Sequence, residues 1–220
     1  MTVKEKINTE IYNYIISNYK QNEPILIKDI YTSFTVVNET TIRSILKRLA
    51  EKDLIIKIKN GVCGLPNKES IMGKSSVYTS DILRKKYLVN ENGFIGYKSG
   101  LSFANFLGLT TQTSSVESVI TNAVSNKKRV IKINNNRFII NAPRYEVTNE
   151  NYKLLQILDL LNEFDSYSEI DLKTASKIIL KYITNINLTE EEIEKIVSSY
   201  PLEAQVRFYK IGGQNVIASE

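Results

Sequence analysis

Asn60 and Gly61 lie between two short apolar runs and constrain the fold of this chain more than any other local feature. Both residues tolerate the positive φ angles of a two-residue β-turn, so the pair predicts a hairpin of two strands, residues 54–58 and 62–65. The hairpin directly follows residues 38–52, in which isoleucine and leucine recur with the period of an α-helix. A helix that leads into a tight hairpin is therefore expected here.

Shorter patterns precede this helix. An amphipathic helix is predicted for residues 4–19, a short extended run for 25–27, and one or two helical turns for 28–31. Asn38 is a suitable N-cap for the helix that follows, because its side-chain oxygen can accept a hydrogen bond from a free amide of the first turn. The order helix, strand, helix, helix, hairpin is that of a winged helix-turn-helix, and it predicts a DNA-binding domain over residues 1–68.

Charge is unevenly distributed along the chain. Residues 1–68 carry a net charge of +4, residues 69–150 of +5, and residues 151–220 of −4. The whole chain has a net charge of +5 and a pI near 9.0. The positive charge of residues 1–150 favours a polyanionic partner such as double-stranded DNA.

In a winged helix-turn-helix, the second helix of the motif enters the major groove with the side chains opposite its apolar stripe. Hydroxyls and cations on that side of residues 38–52 are the predicted DNA-binding residues, and the turn of the hairpin adds backbone or minor-groove contacts. Arg43 can donate two hydrogen bonds to guanine. A merely solvated charged face, or a winged helix that contacts only protein, is the alternative interpretation. The predicted DNA-binding residues are Thr40, Thr41, Arg43, Ser44, Lys47 and Arg48 on the helix, and Lys57, Lys59 and Asn60 on the hairpin.

The chain contains no histidine and a single cysteine, Cys63. Catalytic sites built on histidine, the usual zinc sites and an internal disulfide are thereby excluded. The acidic run at 190–194 is explained by the dipole of the helix that it begins. No catalytic residue, metal site or cofactor is assigned, and an enzyme is not expected. The sequence also lacks an apolar run for a membrane span or a signal peptide, so a cytoplasmic protein without a membrane partner is expected.

Residues 69–220 are predicted to form a mixed C-terminal domain, which makes the chain an α+β protein. Helices are expected at 78–88 and 99–107, a strand at 116–121, and a hairpin of 129–134 and 137–141 that turns at Asn135 and Asn136. A helical tail follows, with helices at 152–164, 172–184 and 190–199 and a last helix opened by Pro201. A capping box of Thr189 and Glu192 is expected at the third of these. Lys127, Lys128 and Arg129 are tentative partner-binding residues at the mouth of the hairpin, and a solvated turn is the alternative.

The segment Gly96–Gln112, GYKSGLSFANFLGLTTQ, resembles the AbiEi-type antitoxins of abortive-infection systems. In that family a G-Y-x-S-G-x-S start and an L-G-L-T-T-Q end bracket one helix, which a β-hairpin and a helical tail follow. The likeness extends more loosely to the hairpin 129–141, to residues 154–159, and to Tyr200-Pro201 with Arg207.

This resemblance implies a type IV antitoxin. Its N-terminal winged helix would repress its own operon, and its C-terminal domain would counteract a nucleotidyltransferase toxin. The expected DNA partner is an inverted-repeat operator, bound by a monomer on each half-site or by a weak dimer. Two alternatives remain open at this point: a standalone regulator whose second domain binds an effector or dimerises, and a protein-protein adaptor.

Overall fold

The computed structural model describes residues 3–59, 61–67, 77–125, 128–184 and 186–216. They form a mixed α+β architecture with small sheets. The chain divides into two compact units, Met1–Lys85 and Lys86–Glu220. The boundary expected between residues 68 and 69 lies outside the described residues. Within the described part, no helix is long and apolar enough to cross a lipid bilayer.

The first unit contains the helices and the hairpin expected from the sequence, followed by one short helix. Helix α1, residues Val3–Asn18, matches the predicted helix to within a residue at each end. The short helix Thr79–Leu83 belongs to a segment that the sequence assigns to the second domain, and it groups instead with the first unit. The remaining elements are β1 (Ile25–Leu26), α2 (Ile27–Ser33), α3 (Glu39–Glu51), β2 (Ile56–Lys59), β3 (Val62–Gly64) and α4 (Thr79–Leu83).

The sheet of the first unit has the order β1-β3-β2, and both strand pairs are antiparallel. The hairpin strand β3 therefore lies in the middle, with Cys63 opposite Ile25 on one side and Lys57 on the other. The amide of Ile27 donates to the carbonyl of Gly61 at 2.8 Å, which joins the start of α2 to the hairpin turn. The helices and the hairpin thus form one connected unit.

The core of the first unit forms between α1, α2 and α3. The predicted apolar stripe of α3 is confirmed, since Ile42, Ile45, Leu46 and Leu49 are all buried. Asn18, the last residue of α1, is exposed, and its side-chain amide donates to the Tyr14 carbonyl at 2.8 Å.

The first strand of the hairpin begins two residues later than predicted, at Ile56, because α3 ends in a Schellman motif. Asp53 takes a φ of 54°. The amides of Asp53 and Leu54 donate to the carbonyls of Ala50 and Leu49 at 3.1 and 3.0 Å. Asp53 and Leu54 therefore terminate the helix and are not available to the strand.

The second unit combines a mixed sheet with a layer of helices. Its predicted capping box is confirmed: Thr189 and Glu192 exchange hydrogen bonds at the start of the helix Glu190–Ser198. The elements are β4 (Val89–Asn90), β5 (Gly93–Phe94), β6 (Gly96–Ser99), α5 (Leu101–Phe106), β7 (Val116–Thr121), β8 (Arg129–Ile133), β9 (Asn136–Asn141), α6 (Tyr152–Asn162), α7 (Phe164–Tyr167), α8 (Leu172–Ile183), α9 (Glu190–Ser198) and α10 (Leu202–Lys210).

The larger sheet of this unit has the order β6-β7-β9-β8. Its central pair, β7 and β9, is parallel, whereas β6 pairs with β7 and β8 with β9 in antiparallel fashion. The last strand in sequence is therefore an interior strand. Along β9, Arg137 is exposed, Phe138 is buried, Ile139 is partly buried and Ile140 is buried. This alternation fixes the register of the strand, because a shift by one residue would exchange the two faces.

Helix α6 lies at the centre of the helical layer, and six of its leucine and isoleucine side chains are buried. The polar residue Gln156 lies within this run and is itself buried. Its amide donates to the Lys98 carbonyl at 2.6 Å, and its side-chain oxygen accepts from the Tyr182 hydroxyl at 2.6 Å. Gln156 therefore joins α6 to β6 and to α8 with both halves of its amide satisfied.

Arg207 of α10 caps the C-terminal end of α6. Its guanidinium donates to the Leu161 carbonyl at 2.7 Å and forms ion pairs of 2.6 Å with Asp165 and Glu203. The side chain is only 13% exposed, while the two carboxylates are mostly exposed. A carbonyl that the helix leaves unpaired is thus satisfied by a cation, which the helix dipole also favours.

Residues 96–112 form β6, α5 and the loop after them. Gly100 and Gly108, on either side of α5, have φ angles of 71° and 74°. The side-chain amide of Asn105 donates to the carbonyls of Thr110 and Gln112 at 3.2 and 3.1 Å. The Asn105 side chain therefore holds the loop in place through contacts within the chain.

Several predicted boundaries in the second unit need correction. The helix expected from residue 99 begins at Leu101, because Ser99 pairs with Ser118 in the sheet and Gly100 makes the turn. The hairpin turns at Asn134 and Asn135, since Asn134 has the positive φ and Asn136 already pairs with Ile133.

Two predicted helices are also interrupted. The helix expected at 78–88 is α-helical only over Thr79–Leu83 and continues as a π-helix over Arg84–Leu88. The helix expected at 152–164 ends at Asn162, and α7 begins at Phe164.

Candidate nucleic-acid interface

Helix α3 separates a buried apolar face from an exposed polar face. Its N-cap is Asn38, as predicted, and the side-chain oxygen of Asn38 accepts from the Thr41 amide at 2.8 Å. The capped end carries Thr40 and Thr41. Opposite the buried stripe, Thr40, Arg43, Ser44 and Lys47 are exposed, and Thr41 and Arg48 are partly buried. The predicted binding residues of α3 therefore lie outside the core.

Arg43 is held by two neighbours on this face. Its Nε donates to the Tyr31 hydroxyl at 2.6 Å, and its Nη2 lies 3.1 Å from a carboxylate oxygen of Glu39, one helical turn earlier. The guanidinium carbon is 5.6 Å from the centre of the Tyr31 ring. The hydrogen bond to Tyr31 raises the pKa of Arg43, and the charge of Glu39 adds a smaller effect in the same direction. Both side chains of the ion pair remain about two-thirds exposed, at 64% and 61%.

The other cations of α3 are less constrained. Lys47 lies 3.8 Å from Glu51, and both side chains are mostly exposed, so this pair contributes little stability. Nε of Arg48 donates to the Ser44 carbonyl at 3.3 Å. The Ser44 hydroxyl donates to the Thr40 carbonyl at 2.9 Å, so its hydrogen is used within the helix and its lone pairs remain available as acceptors. The Lys47 ammonium is held less firmly than the Arg43 guanidinium.

Two of the three predicted wing residues lie on the part of the hairpin that the structure describes. Lys57 is exposed on β2, and Lys59 is the last residue of that strand. The pairing of β2 with β3 shifts register between these two lysines. Gly61 has a φ of 81°, a conformation that favours glycine, and Asn60 lies outside the described residues.

The tentative partner-binding residues belong to the second unit. Lys128 and Arg129 are exposed at the start of β8, and Lys127 lies outside the described residues. Further along the same hairpin, Lys132 stands directly opposite Arg137, and both are exposed. Like charges in directly opposite positions destabilise a sheet slightly. The hairpin therefore carries a cationic surface in addition to the residues that the sequence singled out.

Sequence reasoning missed a polar cluster around Asp159 of α6. The Tyr97 hydroxyl donates to the Asp159 carboxylate at 2.5 Å, Tyr200 contacts the same carboxylate, and the charge of Arg144 acts on it. Burial raises the pKa of Asp159 to about 6, against the opposing effects of the Tyr97 hydrogen bond and of Arg144. The available signal was one carboxylate within a strongly apolar helix, Leu154-Leu155-Gln156-Ile157-Leu158-Asp159-Leu160-Leu161.

Two other features bear on chemistry. Cys63 is buried in β3, and burial raises the pKa of its thiol to about 12, so it is protonated at neutral pH and a poor nucleophile. Among the residues that the structure describes, no three Cys, Asp or Glu side chains come together as a metal site would require.

Comparison with protein families and with curated proteins found no match to this chain.

Proposed function

We propose that the first unit is a winged helix-turn-helix that binds double-stranded DNA with α3 in the major groove. The element order α1-β1-α2-α3-β2-β3 and the sheet order β1-β3-β2 support this proposal, since a winged helix places its first strand against the hairpin in this way. Helix α2 leads into α3 through a short turn, as the first helix of the motif leads into the recognition helix.

The observation that carries the proposal is the division of α3 into two faces. Its aliphatic side chains are buried, and its hydroxyl and cationic side chains project on the other side. A recognition helix needs that second face to reach base edges and phosphates. The cations at Lys47 and Arg48 suit phosphates, and Lys57 and Lys59 of the hairpin suit backbone or minor-groove contacts.

The experiment is a titration of a randomised double-stranded DNA pool with the full chain at several salt concentrations. If about six phosphates are neutralised, the affinity should fall roughly a thousandfold between about 50 and 200 mM salt. Lys47→Ala should weaken binding to the whole pool. Lys6→Ala, which removes an exposed lysine from α1 instead of α3, is the matched control and should bind as the unaltered chain does. Salt-independent binding, or an equal loss in both variants, would contradict the proposal.

We also propose that the chain is a type IV antitoxin that represses its own operon and counteracts a nucleotidyltransferase toxin. The likeness of residues 96–112 to the AbiEi-type antitoxins supports this part, together with the helical tail that follows the hairpin. Repression requires an inverted-repeat operator in front of its gene, with each half-site bound by a monomer or by one chain of a weak dimer.

Co-expression tests the antitoxin role. A nucleotidyltransferase encoded beside this chain should arrest growth when expressed alone, and the full chain should restore growth. Lys47→Ala should restore growth equally well while losing repression, because the two activities are assigned to different units. A neighbouring nucleotidyltransferase that is harmless would contradict the antitoxin role. Binding sites in front of unrelated genes would favour the alternative, a standalone regulator.

A further inference from the structure

We propose that Arg43 reads a guanine base and that Tyr31 and Glu39 are positioning residues that hold its guanidinium for this contact. The inference rests on the proposed DNA binding and names the base recognised by that site. The hydrogen-bond donors of the exposed Arg43 side chain are divided among its neighbours.

An arginine side chain has five N–H donors, one on Nε and two on each terminal nitrogen. In Arg43 the Nε donor is taken by the Tyr31 hydroxyl, and one Nη2 donor is taken by Glu39. Among the residues that the structure describes, none accepts from the second Nη2 donor or from either Nη1 donor. Nη1 and Nη2 form the terminal edge of the guanidinium, and each nitrogen still has a donor, so this end of the side chain can contact two neighbouring acceptors.

Guanine presents such a pair in the major groove, O6 and N7, and the other bases do not. Adenine offers one acceptor beside a donor, thymine has a single acceptor beside its methyl group, and cytosine presents a donor. A guanidinium held by Tyr31 and Glu39 discriminates better than an unheld one, because turning its terminal edge toward a single acceptor gives up those two contacts.

Charge separates this role from that of a phosphate anchor. A carboxylate oxygen lies 3.1 Å from Nη2 and offsets part of the positive charge that would release counterions from the DNA backbone. Lys47, whose carboxylate neighbour lies 3.8 Å away in a mostly exposed pair, keeps more of its charge available. Arg43 is therefore suited to geometry-dependent recognition and Lys47 to backbone contact.

The experiment is a selection of bound sequences from a randomised duplex pool, followed by competition between duplexes that differ at one base pair. The unaltered chain should enrich an invariant guanine. Arg43→Ala should lose between about tenfold and a hundredfold of the preference at that base pair alone. Lys47→Ala should weaken binding to all sequences by a similar factor and leave the preference intact.

The positioning residues need a measurement that a purely structural role would not change. Tyr31→Phe keeps the ring but removes the acceptor for Nε, so the preference for guanine should fall while thermal stability and binding to the unselected pool stay the same. Glu39→Gln retains an acceptor for Nη2 and should keep the preference. Glu39→Ala should reduce it. This pair of variants separates loss of the hydrogen bond from loss of the charge.

The outcomes distinguish this inference from the proposal on which it depends. If Arg43→Ala weakens all duplexes equally, Arg43 is a phosphate anchor and the inference is overturned while DNA binding stands. If Tyr31→Phe and Glu39→Ala both keep the full preference, the positioning role is overturned. If the unaltered chain binds no duplex from the pool, the proposed function and this inference fail together.

Discussion

Replacing Asp159 with asparagine should make the second unit more stable at neutral pH and remove part of its pH dependence. Asp159 is partly buried on α6 and accepts a hydrogen bond from the Tyr97 hydroxyl. Burial raises the pKa of this carboxyl from 3.8 to about 6. The folded protein therefore favours the protonated carboxyl more strongly than the unfolded chain does.

The sign and size of the effect follow from linkage. Between the unfolded and the folded pKa, the folded state binds more protons, so this group makes stability fall as the pH rises through that window. A difference of about two pKa units corresponds to about 3 kcal/mol, most of which is lost by neutral pH. Asparagine is uncharged at every pH, and its side-chain oxygen can still accept from Tyr97. The stability of Asp159→Asn relative to the unaltered chain should therefore rise by about 3 kcal/mol between about pH 4 and pH 7.

Urea unfolding at several pH values, followed by circular dichroism and by hydrogen exchange of residues 152–162, measures this difference. Glu163→Gln removes an exposed negative charge just beyond the end of the same helix and controls for the change in net charge. A stability difference that stays constant from pH 4 to pH 7 would refute the reasoning. A difference of the opposite sign would show that Arg144 and the tyrosines stabilise the ionised carboxylate more than burial disfavours it.

Three further predictions concern stability. Asn38→Ala removes the cap of α3 and should lower the free energy of unfolding of the first unit by about 1 kcal/mol, whereas Asn38→Ser should retain most of it, as measured by urea unfolding. Arg207→Ala leaves the Leu161 carbonyl and two carboxylates without their common partner and should lower stability by about 2 kcal/mol or more. Arg207→Lys should recover only part of that loss, because the ammonium of lysine lacks the planar guanidinium whose several N–H donors contact the carbonyl and both carboxylates. Gly96→Ala would bring a Cβ atom against the carbonyl oxygens of Tyr87 and Ile120, within 2.5 Å of both. Gly96→Ala should therefore prevent the second unit from folding. At Gly61 an added Cβ would have no atom within 4 Å, so Gly61→Ala adds only the strain of a φ of 81°. Soluble yield and melting temperature should be much lower for Gly96→Ala than for Gly61→Ala.

Short-range patterns in the sequence predicted much of the fold. Asn38 as the cap of α3, the capping box at Thr189, and the apolar stripe beginning at Ile42 were correct because each depends on residues within one or two helical turns. The hairpin turn of the second unit was placed one residue too late. Three consecutive asparagines, residues 134–136, offer the same tolerance of positive φ, and only the pairing of the two strands decides which residue adopts it.

The candidate site was predictable only in part. The sequence could indicate that Arg43 faces outward, because this follows from the period of α3. It could not supply the contact with Tyr31, which comes from a different helix and depends on how α2 packs against α3. The Asp159 cluster was missed for the same reason, since Tyr97 and Tyr200 reach that carboxylate from distant parts of the chain.

The interior position of β9 has a consequence for synthesis of the protein. Because β9 follows β7 and β8 in the chain and pairs with both, the four-stranded sheet cannot form completely until residue 141 has left the ribosome. Until then, the hydrogen-bonding edge of β7 is open beside the buried side chain of Val119. Open edges next to apolar side chains are sites of aggregation. Nascent chains in which Asn136 is still inside the ribosome should therefore depend on chaperones, whereas chains from which Asn141 has emerged should already contain all four strands of the sheet.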